Sequence, residues 1–386
     1  MTIYDDSIKL TLGDQGVTIR LGDDRSRRFS WLWLRDHSTD AGSVDPTTRQ
    51  RQVDTFSLPD SLRAVSAQVN ARDRCVDLVW SDGVSTSVQV ELLATMMNAH
   101  PPSHQTISSS TRRLWDCERP LKTLPSVTFN AVMGSAEGVL SLLDNIALYG
   151  FTLVDRVPST DADTESLAER IAPPQETLFG RYWHLSAEMT DHGDSAYTTT
   201  FLEPHSDATY YDDAPALQLF NCLAFDGDGG ESIQVDAFAI ADQIRATDPA
   251  AYATLCRINV PGHYLEPGVH MRAERPVFRL DAHRQLRQVS FNNYDRAPMW
   301  LEAEEERSFY HAYRLFHRLA MDQRNWIKIG LRPGMALIFD NWRNLHGRMN
   351  YVGKRELYGC YHGRSAIESR HRVLRAECSR HSDSVE

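Results

Sequence analysis

"EPHSDATYY", residues 203–211, sets a histidine and an aspartate two positions apart, His205 and Asp207, with Tyr210 and Tyr211 close behind. In a strand, residues i and i+2 point to the same side, so this pair is placed to hold one ion together. A ferrous site that activates dioxygen takes two neutral imidazoles and one carboxylate on one face and keeps its other positions open. The triplet alone arises often by chance, and the second imidazole must come from elsewhere. The best candidate is His346, just past the apolar run of "PGMALIFDNWRNLHGR" (333–348). Arg355 follows it, where a guanidinium could pair with a carboxylate near the metal. The two tyrosines alternate, so one can face such a site while the other packs.

Working outward, strand-like runs surround both halves of this constellation: "ALQLFNCLA", "ESIQVDAF", "VFRL", "QVSFNN", "MALIFDNW" and "ELYGCYHG". Upstream, Val139, Leu142, Leu143 and Ile146 lie at helical spacing, and Gly150 suits a left-handed C-cap before the strand Phe151–Asp155. Residues 302–327 place Phe309, Tyr313, Phe316 and Ala320 on one face of a long amphipathic helix. The expected fold is mainly β with flanking helices, a sandwich or jelly roll. Residues 1–95 read as a small β-rich domain, with a hairpin signal around Ser81-Asp82-Gly83 and a short helix in "VELLATMMNAH". Residues 96–125 read as a linker, 126–372 as the main domain, and 373–386 as a polar tail that frays.

The bulk properties narrow the function. The 386 residues carry 41 Lys+Arg against 52 Asp+Glu, a net charge of −11, which argues against nucleic acid or an anionic membrane as the main partner. No apolar run approaches the roughly 18–20 residues of a membrane span, and no basic segment leading into an apolar one marks a secretory signal. Six scattered cysteines without a CxxC fit reduced thiols and a cytoplasmic location.

Seven segments, in order, carry a family resemblance: "WLWLRDH" (31–37), "YGFTLV" (149–154), "AYTTTFLEPHSD" (196–207), "LQLFNC" (217–222), "GGESIQVDAF" (229–238), "FNNYDR" (291–296) and "FDNWRNLHGR" (339–348). Together they resemble the gamma-butyrobetaine and trimethyllysine hydroxylase group of 2-oxoglutarate-dependent oxygenases, within the taurine dioxygenase-like superfamily. The resemblance implies a double-stranded β-helix with a small N-terminal domain, and Fe(II) with 2-oxoglutarate and O2 as co-substrates. It makes His205, Asp207 and His346 the iron ligands, Arg355 the partner of the distal carboxylate of 2-oxoglutarate, and Ser232 a hydroxyl near that co-substrate. The reaction implied is oxidative decarboxylation of 2-oxoglutarate to succinate and CO2, coupled to hydroxylation of a C–H bond. It also implies a homodimer.

A quaternary ammonium has no N–H to donate and is held by the faces of aromatic rings. The resemblance places that cage at Phe179, Trp183, Tyr197 and Tyr361, and an anion-binding site at Asn292 and Asn293, with Arg296 nearby. Asp194 stands where the family has an asparagine, and Phe179 where it has a tyrosine. The substrate implied is a small trimethylammonium zwitterion, either gamma-butyrobetaine or an analogue such as 2-(trimethylammonio)ethylphosphonate; a hydroxylase of an unrelated small anion such as a sulfonate is the alternative. The family's N-terminal zinc is not expected, because Ser38, Asp40, Ser43 and Val84 occupy its ligand positions beside His37. The core around Trp31, Trp33 and Trp80 must hold that domain instead.

Overall fold

The computed structural model describes residues 8–22, 25–97, 112–186 and 198–383. The chain forms two compact units, residues 1–104 and 105–386. In the first, β1 (Lys9–Gly13), β2 (Gly16–Arg20) and β3 (Ser26–Ser30) make an antiparallel sheet that runs into the short helix α1 (Trp31–Asp36). A second sheet follows, of β4 (Ala64–Asn70), β5 (Cys75–Trp80) and β6 (Ser85–Gln89), and then helix α2 (Val90–Met97). Gly83, at the tip of the expected hairpin, has φ +82°. Trp31 and Trp80 are buried and meet edge to face at 6.3 Å. Ser38 is buried, with Oγ within hydrogen-bond distance of Leu34 O and Thr86 Oγ1, while Asp40 accepts from Ser43 Oγ and Ser87 N. The hydroxyls and carboxylate at these positions are thus engaged in local hydrogen bonds, and Val84 is exposed.

The second unit is a jelly roll. It begins with β7 (Ser126–Thr128), α3 (Phe129–Gly134), α4 (Ala136–Tyr149), β8 (Phe151–Asp155) and α5 (Asp161–Ile171). The short strands β9 (Pro174–Gln175), β10 (Tyr182–Leu185) and β11 (Leu202–His205) precede the long β12 (Leu217–Gly229) and β13 (Ser232–Asp236). Then come α6 (Ala237–Thr247), α7 (Pro249–Arg257), the hairpin β14 (Asn259–Glu266) and β15 (Val269–Pro276), the hairpin β16 (Phe278–Leu280) and β17 (Leu286–Val289), and α8 (Ala303–Met321). The chain closes with β18 (Ile327–Ile329), β19 (Met335–Asp340), β20 (Asn344–Arg348), β21 (Tyr351–His362) and α9 (Arg364–Asp383).

One sheet runs β10-β21-β12-β19-β8-β7, with β9 also on β21; the other runs β11-β20-β13-β18. Apolar side chains of both, Phe220, Leu337, Phe339 and Leu357 from the first and Ile329 from the second, fill the space between them. Helices α4 and α5 cover the outer face of the larger sheet, and α6, α7 and α8 that of the smaller. Phe309, Tyr313, Phe316 and Ala320 of α8 are all buried, as their spacing predicts. Helix α4 ends at Gly150 with φ +86°. The chain turns from one sheet to the other at Gly229 and Gly230, both with positive φ; a Cβ on Gly229 would sit 2.4 Å from Asn350 O.

Two stretches differ from their sequence reading. Residues 112–125 pack with the second unit: Trp115 is buried, its amide donates to Asp236 Oδ2 and its indole to Tyr149 O. The polar stretch from 373 onward continues α9, because Ile367, His371 and Leu374 recur on one buried face and Arg375 reaches Asp144 on α4. No helix among the described residues is long and apolar enough to cross a membrane.

Candidate metal centre

His205 on β11 and His346 on β20 are direct partners across an antiparallel ladder, with ring centroids 4.4 Å apart. His205 Nδ1 donates to Glu203 O at 2.7 Å, which leaves Nε2 for Asp207 and for a metal. Asp207 lies beyond the end of β11, so strand alternation does not place it. Asn341, buried after β19, does: it accepts from Asp207 N at 2.8 Å and donates to the carbonyls of Asp207 and Pro215. Asp207 Oδ1 lies 3.3 Å from His205 Nε2 and 3.5 Å from His346 Nε2. The ligand atoms of the three side chains all fall within 4.8 Å of one another.

The second carboxylate oxygen is also held. Tyr361 donates its hydroxyl to Asp207 Oδ2 at 2.8 Å, and Gln218, its partner across the β12–β21 ladder, donates to the Tyr361 oxygen at 3.3 Å. Burial favours the neutral His205 ring, but the hydrogen bond and charge of Asp207 outweigh it and leave its pKa raised. Burial prevails at His346 and pulls it down to about 4. Burial alone would raise Asp207; the two imidazoles and the Tyr361 hydroxyl hold it well below the usual carboxylate range. An ionised carboxylate beside converging imidazole nitrogens has the charge and donor set of a two-histidine, one-carboxylate ferrous site, and a cation at its centre takes the place of the His205 proton.

The same cavity is lined by Arg355 and Ser232, 3.5 Å apart between Nη2 and Oγ. Arg355 is 5% exposed, and burial, then the neighbouring Arg348, pulls its pKa down to about 10. Arg348 also lines the cavity; it donates to the carbonyls of Thr198 and Thr200 and lies over the Tyr351 ring. Two buried guanidiniums side by side form a place for a dianion. The same cavity also has an apolar wall. Trp183 on β10 faces Gly359 on β21, and its ring lies 5.3 Å from Tyr361 and 5.4 Å from Phe220. A Cβ on Gly359 would meet Leu219 O at 2.1 Å and the Trp183 ring at 3.2 Å, so glycine seats this indole. Phe179 and Tyr210 complete the rim, each packed on Tyr264 of β14.

The structure therefore brings His205, Asp207, His346, Arg355, Ser232, Phe179, Trp183 and Tyr361 around one cavity. Asn292 lies on it too, and its neighbour Asn293 is exposed, with Oδ1 accepting from Arg296 Nε. Asp194 and Tyr197 lie outside the described residues. Tyr210 faces the cavity, whereas Tyr211 accepts from Leu178 N. Sequence reasoning passed over Arg348, Gln218, Phe220, Asn341 and Asp295. Three of them carried a readable signal. Arg348 is two residues beyond His346 in a strand, and Gln218 and Phe220 alternate along β12.

A jelly roll with this triad is the architecture of non-haem iron dioxygenases that consume 2-oxoglutarate. Comparison with known proteins gives the same class. The sequence profile of the Taurine catabolism dioxygenase TauD, TfdA family matches residues 120–361, and that of the gamma-butyrobetaine hydroxylase-like N-terminal domain matches 8–90. A trimethyllysine dioxygenase of Bos taurus mitochondria is 32% identical over 354 residues, covering 90% of this chain and 83% of that protein. A gamma-butyrobetaine dioxygenase of Pseudomonas sp. strain AK-1 is 30% identical over 369 residues, covering 93% and 94%. A taurine dioxygenase-type structure from Burkholderia xenovorans shares the fold, at a TM-score of 0.50 and 11% identity, over 63% of this chain and 91% of that one. The chain belongs to the TauD/TfdA family, as an iron- and 2-oxoglutarate-dependent hydroxylase of the trimethyllysine and gamma-butyrobetaine type.

Proposed function

We propose that this enzyme hydroxylates a small trimethylammonium zwitterion: trimethyllysine, gamma-butyrobetaine, or an analogue such as 2-(trimethylammonio)ethylphosphonate. The observation that carries this is the aromatic wall of Trp183, Phe220 and Tyr361 on the cavity that holds the His205, Asp207 and His346 triad. Ring faces hold a quaternary ammonium at about 0.5–2 kcal/mol per contact without requiring an N–H.

In this reading His205, Asp207 and His346 would hold ferrous iron, and the Tyr361 hydroxyl, which donates to Asp207 Oδ2, would orient that carboxylate. Arg355 binds the distal carboxylate of 2-oxoglutarate, and Ser232 supports that carboxylate. Bound iron supplies dioxygen activation and C–H oxidation, coupled to conversion of 2-oxoglutarate to succinate and CO2. Leu357 lines the same cavity beside Phe220, and these apolar side chains exclude water from it. Positioning the target carbon by its ammonium, rather than by the reacting bond, is the task of the rings. A cytoplasmic homodimer completes the reading.

Succinate formation measured with each trimethylammonium compound, and with a small sulfonate, tests it. Turnover of at least one trimethylammonium compound is expected, with KM raised about tenfold or more in Trp183→Ala. Turnover of the sulfonate alone, or a Trp183→Ala variant with unchanged KM, overturns it.

A further inference from the structure

Gln218 is a polar side chain on an apolar wall. It sits on β12, in the middle of the larger sheet, with Phe339 of β19 as its cross-strand partner on one side and Tyr361 of β21 on the other. Its chain neighbours Leu217 and Leu219 pack with the helices that cover the sheet, so Gln218 and Phe220 face inward, where both line the cavity. Gln218 is 2% exposed. Its Nε2 donates to the Tyr361 oxygen at 3.3 Å, and Tyr361 donates onward to Asp207 Oδ2 at 2.8 Å. The other end of the amide is unsatisfied: Oε1 is buried and meets no donor among the described residues. A leucine or methionine would fill such a position without stranding a carbonyl, and an unmet buried acceptor lowers stability.

We infer that Gln218 is a positioning residue for Asp207, acting through the Tyr361 hydroxyl. The inference rests on the proposed function, in which Asp207 holds the metal, and deepens it. Counting donors and acceptors fixes the direction of the chain. An ionised carboxylate only accepts, so the hydroxyl hydrogen of Tyr361 points to Asp207. The Tyr361 oxygen is then the acceptor for Gln218, and only the NH2 end of the amide can meet it. Turning the amide round would set Oε1 against the Tyr361 oxygen, with no hydrogen between them unless Tyr361 withdrew its own from Asp207. Gln218 therefore keeps the hydroxyl turned towards the carboxylate, and its unmet Oε1 is the consequence of that polarity. The chain also strengthens as a unit, because a donor to the hydroxyl oxygen polarises the O–H bond that meets Asp207.

The test measures Co(II) and Fe(II) affinity, and the urea midpoint of the metal-free protein, in the wild type, Gln218→Met, Tyr361→Phe and the double variant. Gln218→Met keeps an unbranched side chain and removes both the donor and the stranded carbonyl. Its metal affinity should fall roughly threefold to tenfold, the worth of one hydrogen bond, while its midpoint stays at or above that of the wild type. In the Tyr361→Phe background, where no hydroxyl remains to be held, Gln218→Met should bring no further loss. An unchanged affinity in Gln218→Met overturns the inference, as does a loss of equal size in both backgrounds. A loss of affinity that comes with a lower midpoint assigns Gln218 to packing and overturns it too. If the wild type binds neither metal, the metal-centre reading itself has failed.

Discussion

Tyr361 shows how one side chain can serve two tasks. Its ring forms part of the aromatic wall, and its hydroxyl caps Asp207 Oδ2. Tyr361→Phe separates them, because it keeps the ring and deletes the hydroxyl. Hydrogen bonds that orient metal ligands are worth about 10–100-fold in metal affinity. The variant should bind Fe(II), or Co(II) as a spectroscopic stand-in, more weakly by that factor, with the ammonium-binding ring still in place. An unchanged metal affinity would show that the hydroxyl does not hold the carboxylate. Asn341 acts one step further out. Asn341→Ala strips the partner from Asp207 N and from two carbonyls, at about 1–3 kcal/mol of stability for the groups left unsatisfied. A chemical denaturation midpoint shared with wild type would contradict that. His205, Asp207 and His346, which the fold brings within 4.8 Å of one another, could be read as a set only with the flanking family segments, since a His-x-Asp triplet alone arises often by chance. Asn341 could not, since an asparagine that ties a loop looks like any other until the loop is folded. Asn292 and Asn293 were read together, and only the folded loop separates the one on the cavity from the one on the surface.

At the scale of elements, the jelly roll depends on sharp corners where the chain leaves one sheet for the other. Gly229 makes such a corner between β12 and β13, three residues before Ser232. Its φ of +78° disfavours any side chain, and a Cβ would press on Asn350 O. Gly229→Ala should cost about 1 kcal/mol or more, read as a lower urea midpoint, and should raise KM for 2-oxoglutarate by displacing Ser232. A stable variant with a normal KM would mean that the corner relaxes without moving the site. Periodicity announced α4 and α8, because each has one buried face, and continuous apolar runs announced strands such as β8, β12, β13 and β19, which are buried on both. It did not announce the reach of α9, whose sparse apolar positions among arginines and glutamates look like a tail until α4 supplies Asp144 for His371 and Arg375. Nor did it announce that Trp115 anchors a stretch otherwise polar enough to read as a linker.

Across the whole molecule, the buried histidines make stability depend on pH in a direction that can be worked out. His362, at the end of β21, is fully buried against α5; its Nε2–H donates to Ala168 O, and burial pulls its pKa down to about 4. The groups acting on it are the Ala168 and Ala172 carbonyls, which offset part of the burial. Unfolded, the same ring titrates near 6.5. Between those values the unfolded chain binds a proton that the native chain refuses, so acid favours unfolding there. This residue leaves stability unaffected above about pH 6.5, and its destabilising effect grows as pH falls towards 4. From pH 7 to pH 5 it removes roughly 2 kcal/mol. His362→Gln can still donate to Ala168 O but does not titrate. Its urea midpoint should fall less than that of wild type over the same interval, whatever its absolute value at pH 7. His346 shares the downward shift but is committed to the metal, so both proteins must be compared iron-loaded, where its contribution cancels. Parallel losses in the two proteins would mean that His362 takes up its proton without unfolding the jelly roll.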